Sequence, residues 1–156
     1  MIIVPGSGPT DRDGNSPAGL HTNTYKLLAE EAARRGRATL RIDKRGLFGS
    51  QAAVTDPNAV TLAAYAEDVR GWIDAALRFA PEVWVAGHSE GGLVALTLAQ
   101  DPPKGLKGLV LLATPGRPLG AVMLEQLGAN PANAPLMGEA EAIISRLTAG
   151  SPYPLD

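Results

Sequence analysis

The sequence predicts an α/β fold, in which a parallel sheet is flanked by helices. Short apolar runs alternate with amphipathic stretches of helical spacing, and glycine or proline interrupts the chain between them. Strands that alternate with helices form right-handed βαβ units, so we expect parallel strands and a sheet covered on both faces. The 156 residues, 45% of them hydrophobic and 19% charged, suffice for one globular core.

The elements follow one another in a regular order along the first three quarters of the chain. Four short apolar runs predict strands at residues 2–4, 38–42, 83–86 and 108–113. Amphipathic spacing predicts helices at residues 22–35, 61–80 and 91–100. After Pro118 two further amphipathic helices are predicted, at 119–128 and 137–149, and no strand follows them. We therefore divide the chain into a core, 1–118, and a helical segment with a linker, 119–156.

Composition excludes several classes of protein. A net charge of −2 and a pI near 5.7 argue against a nucleic-acid-binding surface or a polybasic membrane patch. The absence of cysteine excludes disulfides, thiolate metal sites and a cysteine nucleophile, and it is compatible with a reducing compartment. The chain has no apolar run of about 20 residues and opens without a basic leader. We expect a cytoplasmic protein with no metal and no cofactor, bound to neither nucleic acid nor membrane.

The pattern G-x-S-x-G occurs once, as Gly87-His88-Ser89-Glu90-Gly91, between a predicted strand and a predicted helix. In a nucleophile elbow the serine lies on a strained strand-to-helix turn, and the two glycines have no side chains where backbones nearly touch. The backbone N–H of Glu90, at the start of the helix, is then free to bind an oxyanion. A composition like this one gives about 0.08 random matches, so an ordinary glycine-rich β–α turn is the weaker interpretation.

Two more motifs make the chain resemble the α/β-hydrolase family. Residues 5–14, PGSGPTDRDG, look like the oxyanion loop after the third strand of a bacterial serine-esterase subgroup. Residues 43–50, DKRGLFGS, look like the loop after the fourth strand, and GHSEGG completes the set. The resemblance covers residues 1–118, and 119–156 only as the start of a helical lid. It implies a partial α/β-hydrolase fold with about four of the family's roughly eight strands.

The resemblance implies a role for each motif residue. Ser89 would attack an acyl carbonyl, while the N–H groups of Ser7 and Glu90 would form the oxyanion hole. Gly6 and Gly8 would let the loop backbone approach the substrate, although a tight turn without a ligand is the alternative. Gly6-Ser7-Gly8 lacks the later glycine of a dinucleotide-binding loop, and no phosphate-binding P-loop pattern occurs.

Four charged residues lie on the same two loops. Asp11, Arg12, Asp13 and Arg45 carry opposite charges, which favours ion pairs and Asx-turns that fix the oxyanion loop. Direct contact with the substrate is the alternative role for this group.

A serine nucleophile needs a base, and in this family the histidine follows the serine in the chain. No histidine follows Ser89. His88 is adjacent to the nucleophile, where its side chain points away, and His21 is expected to lie near a helix cap or in solvent. The acids after the fourth predicted strand all lie in the predicted helical segment or in the tail, and none is at a strand end: Glu125, Glu139, Glu141 and Asp156. We therefore expect a complementary C-terminal segment that carries the acid and the histidine of the triad.

Two classes of function remain open from the sequence. The first is a serine carboxylesterase acting on small acyl esters, inactive as the 156-residue chain alone; thioesterases, acyltransferases and peptidases share the same machinery. The second is an inert, truncated hydrolase fold that binds a ligand or partner. The apolar residues of the last two helices suit an acyl pocket, plain packing or a dimer contact equally well.

Overall fold

The computed structural model describes residues 1–151, apart from the side chain of Asn58. Within residues 1–151, eleven helices and strands are joined by loops that contain 3-10 turns at Phe48–Ala53, Pro57–Ala59 and Pro131–Leu136. In chain order these elements are β1 (Ile2–Val4), β2 (Asn15–Ser16), β3 (Leu20–His21), α1 (Thr24–Arg34), β4 (Leu40–Arg41), α2 (Leu62–Ala76), β5 (Val83–His88), α3 (Glu90–Leu98), β6 (Leu106–Leu112), α4 (Leu119–Gly128) and α5 (Met137–Thr148).

The main sheet has four parallel strands in the order β4-β1-β5-β6, which confirms the predicted fold class. The connection through α1 leads from β1 to β4, and the connection through α2 leads back across β1 to β5. The strand order therefore reverses between β1 and β5, whose carboxyl ends are in register at Val4 and Gly87. Open α/β sheets bind their ligands at the crevice that such a reversal creates.

Alternate residues of the strands pack into two separate hydrophobic clusters. Ile2, Val4 and Val85 face α2 and α3, and Ile3 and Ala86 face α1. The expectation that both faces are covered holds only in part, because Trp84 is 46% exposed and Val110 is 36% exposed. On that face of the sheet, the short helix α1 covers only β1 and the end of β5.

Several elements begin or end at other residues than the sequence predicts. Helix α1 begins at Thr24 rather than residue 22, since Asn23 adopts a left-handed conformation with φ of 50°. Helix α2 ends at Ala76 rather than residue 80, and β4 keeps only two residues. The hairpin β2–β3 has no counterpart among the predicted elements, because its two-residue strands lack apolar alternation. The Asn15 side chain stabilises it by donating to the Asn23 side chain and accepting from the Asn23 backbone N–H.

The chain divides into two compact units, Met1–Thr114 and the residues from Pro115 onward. In the second unit, α4 and α5 pack against each other where Gly120 meets Ile144. No helix within residues 1–151 is long and apolar enough to cross a membrane. The predicted linker lies outside the described residues, except for Ser151.

Candidate active site

Ser89 lies at the junction of β5 and α3 with a positive φ of 53° and a ψ of −119°, a combination that non-glycine residues rarely adopt. A non-glycine residue in such a region costs about 1–3 kcal/mol, so the surrounding structure must hold it there. Its N–H donates to the carbonyl oxygen of Leu112 on β6 at 2.8 Å, and its carbonyl oxygen accepts from Gly92 N–H at 2.9 Å. Backbone hydrogen bonds to β6 and to α3 thus hold the half-buried serine in place.

Three glycines surround this serine because side chains do not fit. A Cβ at Gly87 would clash with the backbone of Gly91, and one at Gly91 would lie 2.6 Å from the carbonyl oxygen of Pro5. Gly92, which the five-residue pattern does not include, packs against the side chain of Thr114. The close approach predicted for Gly87 and Gly91 is therefore present, and it brings α3 against the end of β1.

The loop after β1 approaches the same serine. A Cβ at Gly6 would lie 3.2 Å from Nδ1 of His88 and 3.3 Å from Cβ of Ser89, so Gly6 is packed on the elbow. Ser7 follows it and is exposed. Gly8 has φ of 74° with open space around it, so its backbone conformation alone accounts for a glycine. Glu90 provides the first N–H of α3, which has no acceptor within the helix.

Asp11 and Asp43 stabilise the loop through hydrogen bonds. One carboxylate oxygen of Asp11 accepts from the backbone N–H groups of Asp13 and Asn15, both at 2.8 Å. Asp43, after β4, accepts from the backbone N–H of Arg12 at 2.7 Å and from its guanidinium. Burial alone would raise the pKa of Asp43, but bonds from Arg12 and from the N–H of Gly49 outweigh it, and the pKa lies below its ordinary value.

Asp13 and Arg45 differ in what they contact. Asp13 pairs with Arg41 of β4, and its carbonyl oxygen accepts from the first turn of α1, so it connects the loop to two elements. The expectation that Arg45 fixes the oxyanion loop is not met: its guanidinium donates two bonds of 2.6 Å to Asp68 of α2. The chain turns at Gly46 directly after Arg45, and this side chain reaches α2 instead of the loop.

A buried ion pair, which the sequence analysis missed, supports the other side of the elbow. Lys44 Nζ donates to a carboxylate oxygen of Glu90 at 2.6 Å and lies 5.0 Å from the ring centroid of Tyr65. The Lys44 side chain is 3% exposed and that of Glu90 is 19% exposed. The pair joins residues that are 46 positions apart, so no local pattern in the sequence indicates it.

Neither histidine is bonded to the serine among the hydrogen bonds of residues 1–151. Nδ1 of His88 lies 2.8 Å from the hydroxyl of Tyr25, beside the turn. His21 is exposed on β3, and its backbone pairs with Asn15. The described residues also contain no group of three or more His, Cys, Asp or Glu side chains that could hold a metal ion.

One apolar cavity of the first unit lies at the opposite end of the sheet. Its volume is about 1070 Å³, and its lining includes the first residues of β4 and β5 together with Trp72, Phe79 and Trp84. Because Ser89 follows the carboxyl end of β5, this cavity is separate from the elbow.

The fold and the elbow together define an α/β hydrolase. The chain belongs to the family described as serine aminopeptidase, S33, whose model matches residues 18–147. None of the curated proteins compared with the chain matches it.

Solved structures give the same fold. A hydrolase from Pseudomonas aeruginosa PA01 is 26% identical, with a TM-score of 0.56, over 82% of this chain and 42% of its own. A thermophilic esterase from Thermogutta terrifontis (23%, TM-score 0.56) and an extracellular α/β-hydrolase from a Paenibacillus species (18%, TM-score 0.54) show the fold alone. The Thermogutta match covers 81% of this chain and 42% of the esterase, and the Paenibacillus match covers 93% of this chain and 64% of that hydrolase. This chain therefore spans less than two thirds of the length of each of the three relatives.

Proposed function

We propose that the chain carries the nucleophile of a serine carboxylesterase, which cleaves small, uncharged acyl esters through an acyl-enzyme at Ser89. The observation that carries the proposal is the strained, positive-φ backbone of Ser89, which hydrogen bonds to Leu112 and Gly92 hold at the carboxyl end of β5. A strained serine that the fold fixes so firmly is typical of a nucleophile presented for attack.

The chemistry would begin with attack of the Ser89 hydroxyl oxygen on the ester carbonyl while a base takes the hydroxyl proton. The negative charge that develops on the carbonyl oxygen would be stabilised by the N–H groups of Ser7 and Glu90. Loss of one such donor typically costs about 3 kcal/mol of transition-state stabilisation. The alcohol leaves with a proton from the base, and water then hydrolyses the acyl-enzyme. This route needs no metal and no cofactor.

The base and its acid are proposed to lie on polypeptide that this sequence does not contain. His88 is held by Tyr25 beside the turn, and His21 is exposed on a hairpin, so neither is placed to take the proton of Ser89. We propose a complementary C-terminal segment with a histidine and a carboxylate. The 156-residue chain alone is then expected to be inactive. A cytoplasmic location, compatible with the absence of cysteine, is part of the proposal.

Labelling with a fluorophosphonate tests the proposal. The protein complemented by its C-terminal segment is expected to take up one equivalent at Ser89, and Ser89→Ala is expected to take up none. Ser145→Ala, which removes an exposed hydroxyl from α5, is the matched control and is expected to label normally. Uptake by Ser89→Ala, or no uptake by the complemented protein, would contradict the proposal. Matched ester, thioester and amide substrates then assign the leaving group.

The second candidate is a catalytically inert module that binds a partner or an apolar ligand. Two observations favour it: neither histidine is hydrogen-bonded to Ser89 among the described residues, and the first unit has an apolar cavity lined by Trp72, Phe79 and Trp84. Intact mass of the purified protein discriminates between the two. A monomer at 16.2 kDa that is folded and inert toward activated esters supports the module. A co-purifying fragment that carries a histidine supports the esterase.

A further inference from the structure

Tyr25, near the start of α1, contacts both ends of the candidate oxyanion loop, residues 5–14. Its hydroxyl oxygen accepts from the N–H of Gly6 at 3.2 Å, and its own backbone N–H donates to the carbonyl oxygen of Asp13 at 3.1 Å. The side chain is buried, with 5% exposed. One residue therefore connects the start of the loop, directly before Ser7, to its end.

The same hydroxyl reaches the elbow, because it lies 2.8 Å from Nδ1 of His88, the residue before the nucleophile. The rings of Tyr25 and His88 meet edge to face, with centroids 5.8 Å apart and an angle of 61°. Gly6 is packed between them and Ser89. The hydroxyl thus forms hydrogen-bond contacts with both the residue before Ser7 and the residue before Ser89.

Counting hydrogens favours one tautomer of His88. A tyrosine hydroxyl has one hydrogen to donate, and its oxygen accepts from the N–H of Gly6. Its other hydrogen-bond contact within the described residues is Nδ1 of His88. A hydroxyl that donates to Nδ1 uses its hydrogen inside a buried site, and this arrangement requires an unprotonated Nδ1 with the ring hydrogen on Nε2. Burial raises the pKa of Tyr25, partly offset by the bond from Gly6, so the hydroxyl remains a donor at neutral pH.

We propose that Tyr25 is a positioning residue, whose hydroxyl holds His88 as the Nε2–H tautomer and keeps the candidate oxyanion loop at a fixed distance from Ser89. The effect on reactivity rests on the proposed function, whereas the tautomer and the bond to Gly6 do not. If the hydroxyl is removed, the Gly6 N–H and His88 Nδ1 lose their common partner. The loop then samples positions in which the Ser7 N–H is not aimed at the oxyanion.

Tyr25→Phe isolates this role, because it deletes the hydroxyl and keeps the ring and the backbone bond to Asp13. Thr97→Val is the matched control: it removes a half-buried hydroxyl on α3 whose hydrogen bond within residues 1–151 is to the carbonyl oxygen of Leu93. Heteronuclear NMR reports which nitrogen of His88 carries the hydrogen and the chemical shift of the Gly6 amide. Single-turnover phosphonylation of Ser89 in the complemented protein reports the reactivity.

We expect wild-type His88 to carry its hydrogen on Nε2, and Tyr25→Phe to shift the Gly6 amide and the His88 nitrogens. Phosphonylation is expected to slow about three- to tenfold, the amount that one neutral hydrogen bond accounts for. Thr97→Val is expected to keep the wild-type rate and signals.

Different results separate this inference from the proposed function. A hydrogen on Nδ1 of wild-type His88, or an unchanged Gly6 amide in Tyr25→Phe, overturns the positioning role even where Ser89 labels normally. An unchanged phosphonylation rate in Tyr25→Phe overturns it as well. Failure of the wild-type protein to label at all counts against the proposed function, and the NMR result then decides the Tyr25–His88 contact by itself.

Discussion

Substituting Gly91 by alanine tests whether the approach of α3 to β1 is as close as the structure shows. The added Cβ would lie 2.6 Å from the carbonyl oxygen of Pro5 and 2.9 Å from the carbonyl carbon of Val4. Ordinary contact begins near 3.4 Å, so the backbones must separate by at least about 0.8 Å. Both neighbours are backbone atoms at the end of the central strand and cannot rotate away.

The cost of this separation can be set against that of a matched glycine. Overpacking typically lowers the free energy of unfolding by about 1–3 kcal/mol. Because the neighbours of Gly91 are rigid backbone atoms, we expect Gly91→Ala to cost about 3 kcal/mol. Gly71 lies inside α2 with an ordinary φ, and a Cβ there meets nothing within 4 Å. Gly71→Ala is therefore expected to stabilise the protein by about 0.5–1 kcal/mol, since alanine favours the helix.

Urea and thermal unfolding measure both variants. Gly91→Ala is expected to lower the melting temperature by about 10 °C and Gly71→Ala to raise it by a few degrees. The m-value is expected to remain unchanged in both, because each variant unfolds the same surface. If Gly91→Ala unfolds at the wild-type temperature, or the two alanines behave alike, the close approach at the elbow is wrong.

Three further predictions concern the contacts around the site. The lowered pKa of Asp43 means that its carboxylate stabilises the fold fully above the unfolded pKa of about 3.9 and that this stabilisation fades as pH falls toward the folded value. In urea unfolding at pH 7, Asp43→Asn is thus expected to be less stable than the wild type by about 2 kcal/mol. This difference in the free energy of unfolding is expected to shrink as the pH falls below about 4. Lys44→Met leaves the Glu90 carboxylate unpaired and is expected to lower the free energy of unfolding by about 3 kcal/mol. The double variant, Lys44→Met with Glu90→Gln, is expected to recover most of that loss. A double variant as unstable as the single one refutes the pairing. Gly8→Ala strains a φ of 74° in open space, so it is expected to cost about 1 kcal/mol in the same assay, and no cost would mean that the loop relaxes freely.

The elements that the sequence predicted are those with a local signal. Apolar runs and helical spacing identified the four parallel strands and the helices between them, and five adjacent residues identified the elbow. The contacts that were missed join distant positions: Tyr25 to His88 across 63 residues, and Lys44 to Glu90 across 46. Such pairs depend on strand order, which no window of neighbouring residues contains.

Arg45 shows why charge on a loop does not by itself predict a partner. The sequence placed opposite charges on two loops and favoured pairs between them, and Asp13 and Arg12 do bond to residues at or just after β4. Arg45 lies two residues after Asp43 but pairs with Asp68 of α2. The direction of the Arg45 side chain depends on the backbone turn at Gly46, where φ is 79°. The charge pattern of the sequence does not contain that geometry.

The position of each long-range contact explains how a short turn keeps a strained serine. Tyr25 holds the loop from α1, on one face of the sheet, and Lys44 holds Glu90 from the end of β4. Asp43 fixes the middle of the loop through Arg12. All three act at the crevice where the strand order reverses, so the costly backbone of Ser89 is offset by contacts from different elements. It follows that single substitutions at these buried partners will perturb Ser89 more than substitutions at exposed Ser7 or Gly8, although Ser7 and Gly8 are the residues that the loop motif contains.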